Sequence, residues 1–366
     1  MVKKLTGTSA LEDWVPTDVH HWEGKEENVL VLNYTLTCPL SCDFCCYNCH
    51  PKRTEKMPID LAKRLIREAA ALKSFSSVGF TGGEPMVYLD EIIELGELLY
   101  EKHLPFTIAT AGHWADTPEN ADKIIGKLNA LGLLRLNISH DPSHAKFVPS
   151  ENIVHAAKAA EKHQLPIYLI GTFYVTEESI EKLLPEIVGY KYVNFINKYV
   201  AKVGRAERKT ITQTTYDLSL ELDSLCCYRR VNHDISIFYD GEAYPCCSTF
   251  NRSTDGISLG NANNLSLETI WERAEGSISL RIMKRQGFGK LYEIIKQYDM
   301  ELYEQLPKSS GAVGPCSLCN HLFSNIELTP KIKRIFEQYE IDKIDKTISY
   351  LIQKIGMKKT LEMIDN

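Results

Sequence analysis

At 366 residues, with 44% hydrophobic and 25% charged, the chain is long enough for one large domain and a smaller companion, and it can bury a real core. Its formal charge of −6 leaves no electrostatic footprint for nucleic acid and excludes binding dominated by phosphate contacts. Met1 to Pro16 holds two lysines with no apolar run behind them, and no stretch approaches a membrane span; a cytoplasmic protein that engages no membrane is expected.

Residues 1–28 read as an N-terminal extension. From Val29 to about Asn197, short apolar runs alternate with helical patterns. The spacing predicts a strand over Val29–Leu36 and a helix over Asp60–Lys73 with Leu61, Leu65, Ile66, Ala69 and Leu72 on one face. A strand over Ser77–Thr81 and a helix with Ile92, Leu95 and Leu99 inward come next. Strand Phe106–Thr110, helix Pro118–Leu131, strand Leu134–Ile138 and helix Glu151–His163 continue the pattern. Strand Ile167–Tyr174, helix Ser179–Val188 and strand Tyr192–Ile196 complete it. Such alternation implies parallel pairing through right-handed crossovers. Residues 29–205 are therefore expected to form an α/β unit, a partial (β/α)6 TIM-like barrel, with chemistry at the carboxyl ends of its strands.

Past Arg205 the alternation stops, and residues 206–325 read as a second domain. Ser236–Tyr239 and Ala243–Tyr244 around Asp240-Gly241 predict a hairpin. Residues 326–366 read as a helical tail that packs through Ile344, Ile348, Leu351, Ile352 and Ile355. Gly287-Phe288-Gly289-Lys290 is too short for a phosphate loop.

The eleven cysteines fall in three groups, Cys38 to Cys49, Cys226 to Cys247, and Cys316 with Cys319. An odd, clustered set without a secretion signal argues for metal ligands, not disulfides. Cys38, Cys42 and Cys45 follow the first strand, and three thiolates leave one iron of a 4Fe–4S cluster open. A zinc knuckle is the alternative, with Cys46, Cys49 or His50 as fourth ligand.

The Cys-x3-Cys-x2-Cys spacing, with Phe44 just before the last cysteine, resembles the signature of radical S-adenosylmethionine (SAM) enzymes. Gly82-Gly83-Glu84 after the second strand is similar to the motif by which that family holds the SAM amino group; glycines allow close approach and a carboxylate pairs with an ammonium. Thr110 closes the third strand where the family has Thr-Asn-Gly. Ser139 and Asp141 close the fourth in a segment that resembles the ribose-binding one, although Pro142 replaces a glycine. His140 and His144 nearby read as ordinary surface histidines.

Cys227 or its neighbour Cys226, then Gly241 and Cys246, and finally Cys316 and Cys319, resemble a truncated SPASM or twitch domain holding one auxiliary 4Fe–4S cluster. Gly204-Arg205-Ala206 also recurs in these proteins. The resemblance implies SAM and two 4Fe–4S clusters as cofactors, with a reductant such as flavodoxin or ferredoxin as a partner.

Cys46 and Cys49 extend the first motif to a run that most resembles radical SAM peptide epimerases. That likeness implies removal of a Cα hydrogen from a ribosomally made precursor peptide and return of a hydrogen by a thiol, here Cys247. The other readings are an oxidative peptide maturase, a sugar- or aminocyclitol-modifying enzyme, and a non-catalytic iron–sulfur or zinc protein. With so short an N-terminal extension, a winged-helix leader-binding domain is not expected, leaving peptide recognition to the barrel mouth, the tail or a partner.

Overall fold

The computed structural model describes residues 28–175, 177–208, 225–229, 232–307 and 314–364, so the N-terminal extension lies, but for its last residue, outside the described residues. Six strands, β1 (Val29–Thr35), β2 (Ser77–Gly82), β3 (Phe106–Thr110), β4 (Leu133–Ser139), β5 (Ile167–Phe173) and β6 (Val193–Tyr199), pair in parallel in chain order. Helices α1 (Ile59–Leu72), α2 (Leu89–Glu101), α3 (Pro118–Ala130) and α4 (Ser150–His163) make the crossovers. Each helix forms where one apolar stripe can be buried, as Leu61, Ala62, Leu65, Ile66 and Ala69 are in α1. At α3, Pro118 occupies the first turn and the Thr117 hydroxyl accepts from Asn120 N at 3.1 Å. This is the expected partial barrel.

Two elements differ from the sequence reading. The helix expected over Ser179–Val188 is one turn, α5 (Ile180–Leu183), followed by a 3-10 turn at Pro185–Ile187; Pro185 has no N–H to continue the ladder. The last strand instead runs on to Tyr199, held by parallel pairing with β5 out to Phe173.

The predicted hairpin is present as β7 (Asp234–Phe238) and β8 (Glu242–Tyr244), with β9 (Gly260–Asn261) beside it. Beyond the sequence reading, β7 also pairs with β1 in parallel, Val29 opposite Asp234 through Asn33 opposite Phe238. One nine-stranded sheet, ordered β6-β5-β4-β3-β2-β1-β7-β8-β9, therefore runs through the barrel and into the second unit. The barrel core takes in Leu259, Leu267, Ile270 and Ala274, and Trp271 meets Phe75 edge-on at 5.3 Å. A second core gathers Leu225, Phe238, Leu280, Phe288, Leu291, Leu318 and Phe336.

The tail is helical over Leu328–Ile355 and Met357–Ile364, but its expected packing face is not the buried one. Thr329, Ile332 and Phe336 are buried, whereas Ile344 is 50% exposed. The first half of the long helix docks on the second core, while in its second half Ile344 and Ile355 are exposed and Ile348, Leu351 and Ile352 half-buried. No helix among the described residues is long and apolar enough to cross a membrane.

Phe336→Ala should accordingly cost about 3–5 kcal/mol in urea denaturation. Ile344→Ala should fall within about 0.5 kcal/mol of wild type. Equal losses would mean that the second half of the helix is packed after all.

Candidate active site

The first cysteine group sits on a loop clamped where it leaves β1. Leu36 N donates to Glu55 O at 2.9 Å, Thr35 Oγ1 donates to the same carbonyl at 2.7 Å, and Thr37 Oγ1 donates to Arg53 O at 2.9 Å. Within the loop, Cys42 is buried while Cys38 and Cys45 are half-buried. Burial pushes the Cys38 thiol up to about 12. Cys45 is held down at about 5, first by the Cys49 thiol, with Cys49 N also donating to its sulfur at 3.3 Å. Cys49 thus supports a neighbouring thiolate.

The Gly204-Arg205 turn has a role no sequence pattern announces. With Gly204 at φ 59°, a Cβ there would lie 2.4 Å from the carbonyl oxygens of both Cys45 and Cys46. Arg205 N donates to Cys45 O at 3.1 Å and its Nη2 to Cys49 O at 2.6 Å. This turn after β6 braces the cysteine loop from across the barrel.

Gly82 and Gly83 are required by the chain itself. A Cβ on Gly82 would lie 2.4 Å from Thr35 O, and one on Gly83 2.3 Å from Thr37 O. The gap left is closed by Gly83 N donating to Thr35 O at 2.6 Å and Glu84 N to Thr37 O at 2.9 Å. The Glu84 carboxylate is wholly buried. It accepts from Met86 N at 3.1 Å, Thr110 Oγ1 at 2.9 Å and Ala111 N at 2.6 Å. These three donors tie the end of β2 to the end of β3 and leave the carboxylate room to accept one more. The Thr110 hydroxyl is likewise occupied, accepting from Gly112 N at 3.1 Å and Trp114 Nε1 at 3.0 Å.

Asp141 corrects the ribose expectation. It is fully buried and accepts from Ser143 N at 2.9 Å, His144 N at 3.1 Å, His144 Nδ1 at 2.8 Å and Thr172 N at 3.1 Å. Four protein donors saturate the carboxylate. Ser139, the last residue of β4, is half-buried. Neither histidine lies on the surface: His140 is completely buried, its Nε2 3.0 Å from Ser150 Oγ, and the His144 side chain is 14% exposed. Burial opposes charge on His144, but Asp141 and the Cys42 thiol outweigh it and hold the imidazolium up to about 10. Phe44 packs 5.7 Å from the His144 ring and 6.3 Å from Tyr174, and Ser143 Oγ donates to Asp43 at 2.6 Å. The cysteine loop is therefore docked on the turn that leaves β4.

The second cysteine group surrounds a separate cavity of about 40 Å³ whose wall is mostly apolar, with Arg229, Lys284, Ser248 and Thr254 also in it. Cys227, Cys246, Cys316 and Cys319 all line it, with Phe250, Leu280, Met283 and Phe288 between them. Cys226 does not line it; its sulfur lies 3.0 Å from where a Cβ on Gly287 would stand, which resolves the choice between neighbours. Burial, and then the other thiols, raise Cys246 and Cys319 well above the usual range, and Cys316 to about 12. Four thiolates coexist in such a pocket only with a cationic partner, as iron–sulfur ligation provides. Among the described residues, no three His, Cys, Asp or Glu side chains converge as a single-ion site would need. The four cysteines ring a space instead of a point.

Cys247 is separated from that ring. Alone of the eleven cysteines it is exposed, and it lines a second cavity of about 300 Å³ walled by barrel strands, with Val31, Ala109, Asn137, Ile170 and Lys198. Because β8 runs back antiparallel to β7, the residue lies in the cavity wall. Tyr47 spans the two sites, donating to Ser248 O at 2.9 Å and meeting Phe238 edge-on at 5.2 Å.

Residues 32–186 match the radical SAM superfamily, and residues 226–291 match SPASM, an iron-sulfur cluster-binding domain. Over 315 residues the chain is 28% identical to "Putative peptide biosynthesis protein YydG" of Bacillus subtilis (strain 168), spanning 84% of this chain and 96% of that one. It is 32% identical over 154 residues to the GTP 3',8-cyclase of Mycolicibacterium smegmatis, 40% of this chain and 38% of that one. Among solved structures, native anSMEcpe with bound AdoMet aligns at a TM-score of 0.47 and 14% identity, over 87% of this chain and 98% of that one. The two matched domains carry SAM with a 4Fe–4S cluster and auxiliary iron–sulfur ligation, respectively.

Glu84→Ala would strand two N–H groups and a hydroxyl in a buried site, and should destabilise the cluster-loaded protein by about 3 kcal/mol in denaturant unfolding. Glu84→Gln, which keeps an acceptor, should lose about half as much. An unchanged midpoint for Glu84→Ala would remove the carboxylate from the structural account.

Proposed function

We propose that this chain, built from a radical SAM domain and a SPASM domain, modifies a ribosomally made precursor peptide by inverting an L-residue at Cα, with Cys247 as hydrogen donor. The observation that carries the reading is the division of thiols: four face one apolar cavity, while Cys247 stands apart and faces the barrel cavity. The name of the Bacillus subtilis relative supports a peptide substrate.

In this reading Cys38, Cys42 and Cys45 hold the SAM-binding cluster, and Cys227, Cys246, Cys316 and Cys319 hold the auxiliary one. When bound, SAM and its cluster supply a 5′-deoxyadenosyl radical, the electron coming from a reductant such as flavodoxin or ferredoxin. Phe44, the Gly82-Gly83 turn, Thr110 and Ser139 border the SAM site at the strand ends. Glu84 and Asp141 are positioning residues that keep those ends in register. Cys247 gives its thiol hydrogen to the substrate Cα from within the cavity wall, and its thiol is restored by one electron and one proton. The isomerisation itself is redox-neutral.

Anaerobically reconstituted protein should hold about eight irons, and replacing Cys38, Cys42 and Cys45 by Ala should remove about half of them with all SAM cleavage. Replacing the four auxiliary cysteines should remove the other half. Stoichiometric zinc without iron would overturn both assignments.

The chemistry is tested with Cys247→Ala in heavy water, given SAM, reductant and the cognate precursor peptide. Wild type should place one solvent deuterium at Cα, and the variant should lose inversion while still forming 5′-deoxyadenosine. A wild-type product two hydrogens lighter than its substrate would instead identify an oxidative maturase.

A further inference from the structure

The wall of the barrel cavity holds a cation that no described residue pairs. Its lining includes Arg135 on β4, Lys198 on β6 and Arg229 just before β7, against one carboxylate, Asp234. That carboxylate is already engaged, its Oδ2 lying 2.5 Å from Arg229 Nη2. Arg135 stands over the Tyr168 ring at 5.0 Å. Lys198 has no hydrogen-bond or ion-pair partner among the described residues. Burial draws its amine down from the ordinary value; the Cys247 thiol opposes the shift, and Arg229 and Arg135 add to it. Lys198 is half-buried, and a cation that loses water without gaining a partner is destabilised. Like-signed groups on low-dielectric walls also focus their field on whatever enters. The remaining walls carry no charge, with Gly79, Ala109, Ile170 and Ile196 beside neutral polar residues such as Thr107 and Asn137, and enclose about 300 Å³.

We propose that this cavity receives a carboxylate of the substrate, an acidic side chain or a chain terminus adjacent to the residue that Cys247 serves. The inference rests on the reading of Cys247 as facing substrate, but its test needs no radical chemistry, so either can fail without the other. The cluster-loaded enzyme is alkylated anaerobically with iodoacetate or iodoacetamide, and the rate at Cys247 is read by peptide mass spectrometry. N-acetylcysteine amide in the same solution is the reference thiol. The ratio of the two rates cancels the fraction of thiolate and isolates the effect of reagent charge. A cationic cavity should raise the iodoacetate-to-iodoacetamide ratio at Cys247 about tenfold over the reference. Lys198→Gln and Arg135→Gln should each lower it.

Competitors then identify the source of the carboxylate. N-acetylaspartate α-amide carries only a side-chain carboxylate, N-acetylalanine only a terminal one, and N-acetylasparagine amide neither. Protection of Cys247 by either acid and not by the neutral amide supports the proposal, and the stronger acid names the group. A ratio equal to the reference, a ratio unchanged in both variants, or equal protection by the neutral amide overturns it. Loss of the preference on saturation with SAM alone would assign the charge to the SAM site and overturn it as well.

Discussion

Everything at the mouth of this barrel depends on the approach of the turn after β2 to the end of β1. Backbone meets backbone there, Gly83 N to Thr35 O at 2.6 Å and Glu84 N to Thr37 O at 2.9 Å. No side chain fits between them, because a Cβ on either glycine would fall within 2.4 Å of a carbonyl oxygen. Thr37 immediately precedes Cys38, so this contact sets where the cysteine loop leaves the sheet. Glu84 then extends the connection to Thr110 and Ala111 at the end of β3. Three consecutive strand ends thus become one rigid rim.

The loop on that rim is held from two further directions. The turn after β4 meets it through Ser143, His144 and Phe44, and the Gly204-Arg205 turn after β6 meets it through the carbonyls of Cys45 and Cys49. Buried carboxylates do much of this work. Glu84 and Asp141 each sit in a fully dry position, and each is tolerated there because backbone and side-chain donors surround it. Such residues resemble ligand-binding carboxylates in a motif, yet their oxygens are turned into the protein.

The second unit is joined to this rim through the sheet, not by a hinge. Strand β7 pairs with β1 along its length, and the return strand β8 delivers Cys246 to the apolar ring and Cys247 to the barrel cavity. The chain bends at Pro245 and Cys246, just past β8, and the two neighbouring thiols line different cavities. One step in sequence therefore separates a thiol suited to hold a cluster from one suited to meet a substrate.

Local pattern alone determined the strand and helix alternation and the three cysteine groups, because period and spacing are properties of neighbouring residues. The break at Pro185 was equally local, although the helical pattern around it hid the signal. Only tertiary structure decided that β7 completes the parallel sheet, that Cys227 and not Cys226 joins the ring, and that Arg205 braces the cysteine loop. It also decided that Asp141 is saturated by the protein, that Glu84 ties two strand ends together, and that the last long helix is buried only as far as Phe336. Each of these turns on which groups lie across a gap of a few ångströms between segments far apart in the chain. A carboxylate, thiol or cation looks the same in sequence whether its partner is a ligand, a backbone N–H or water.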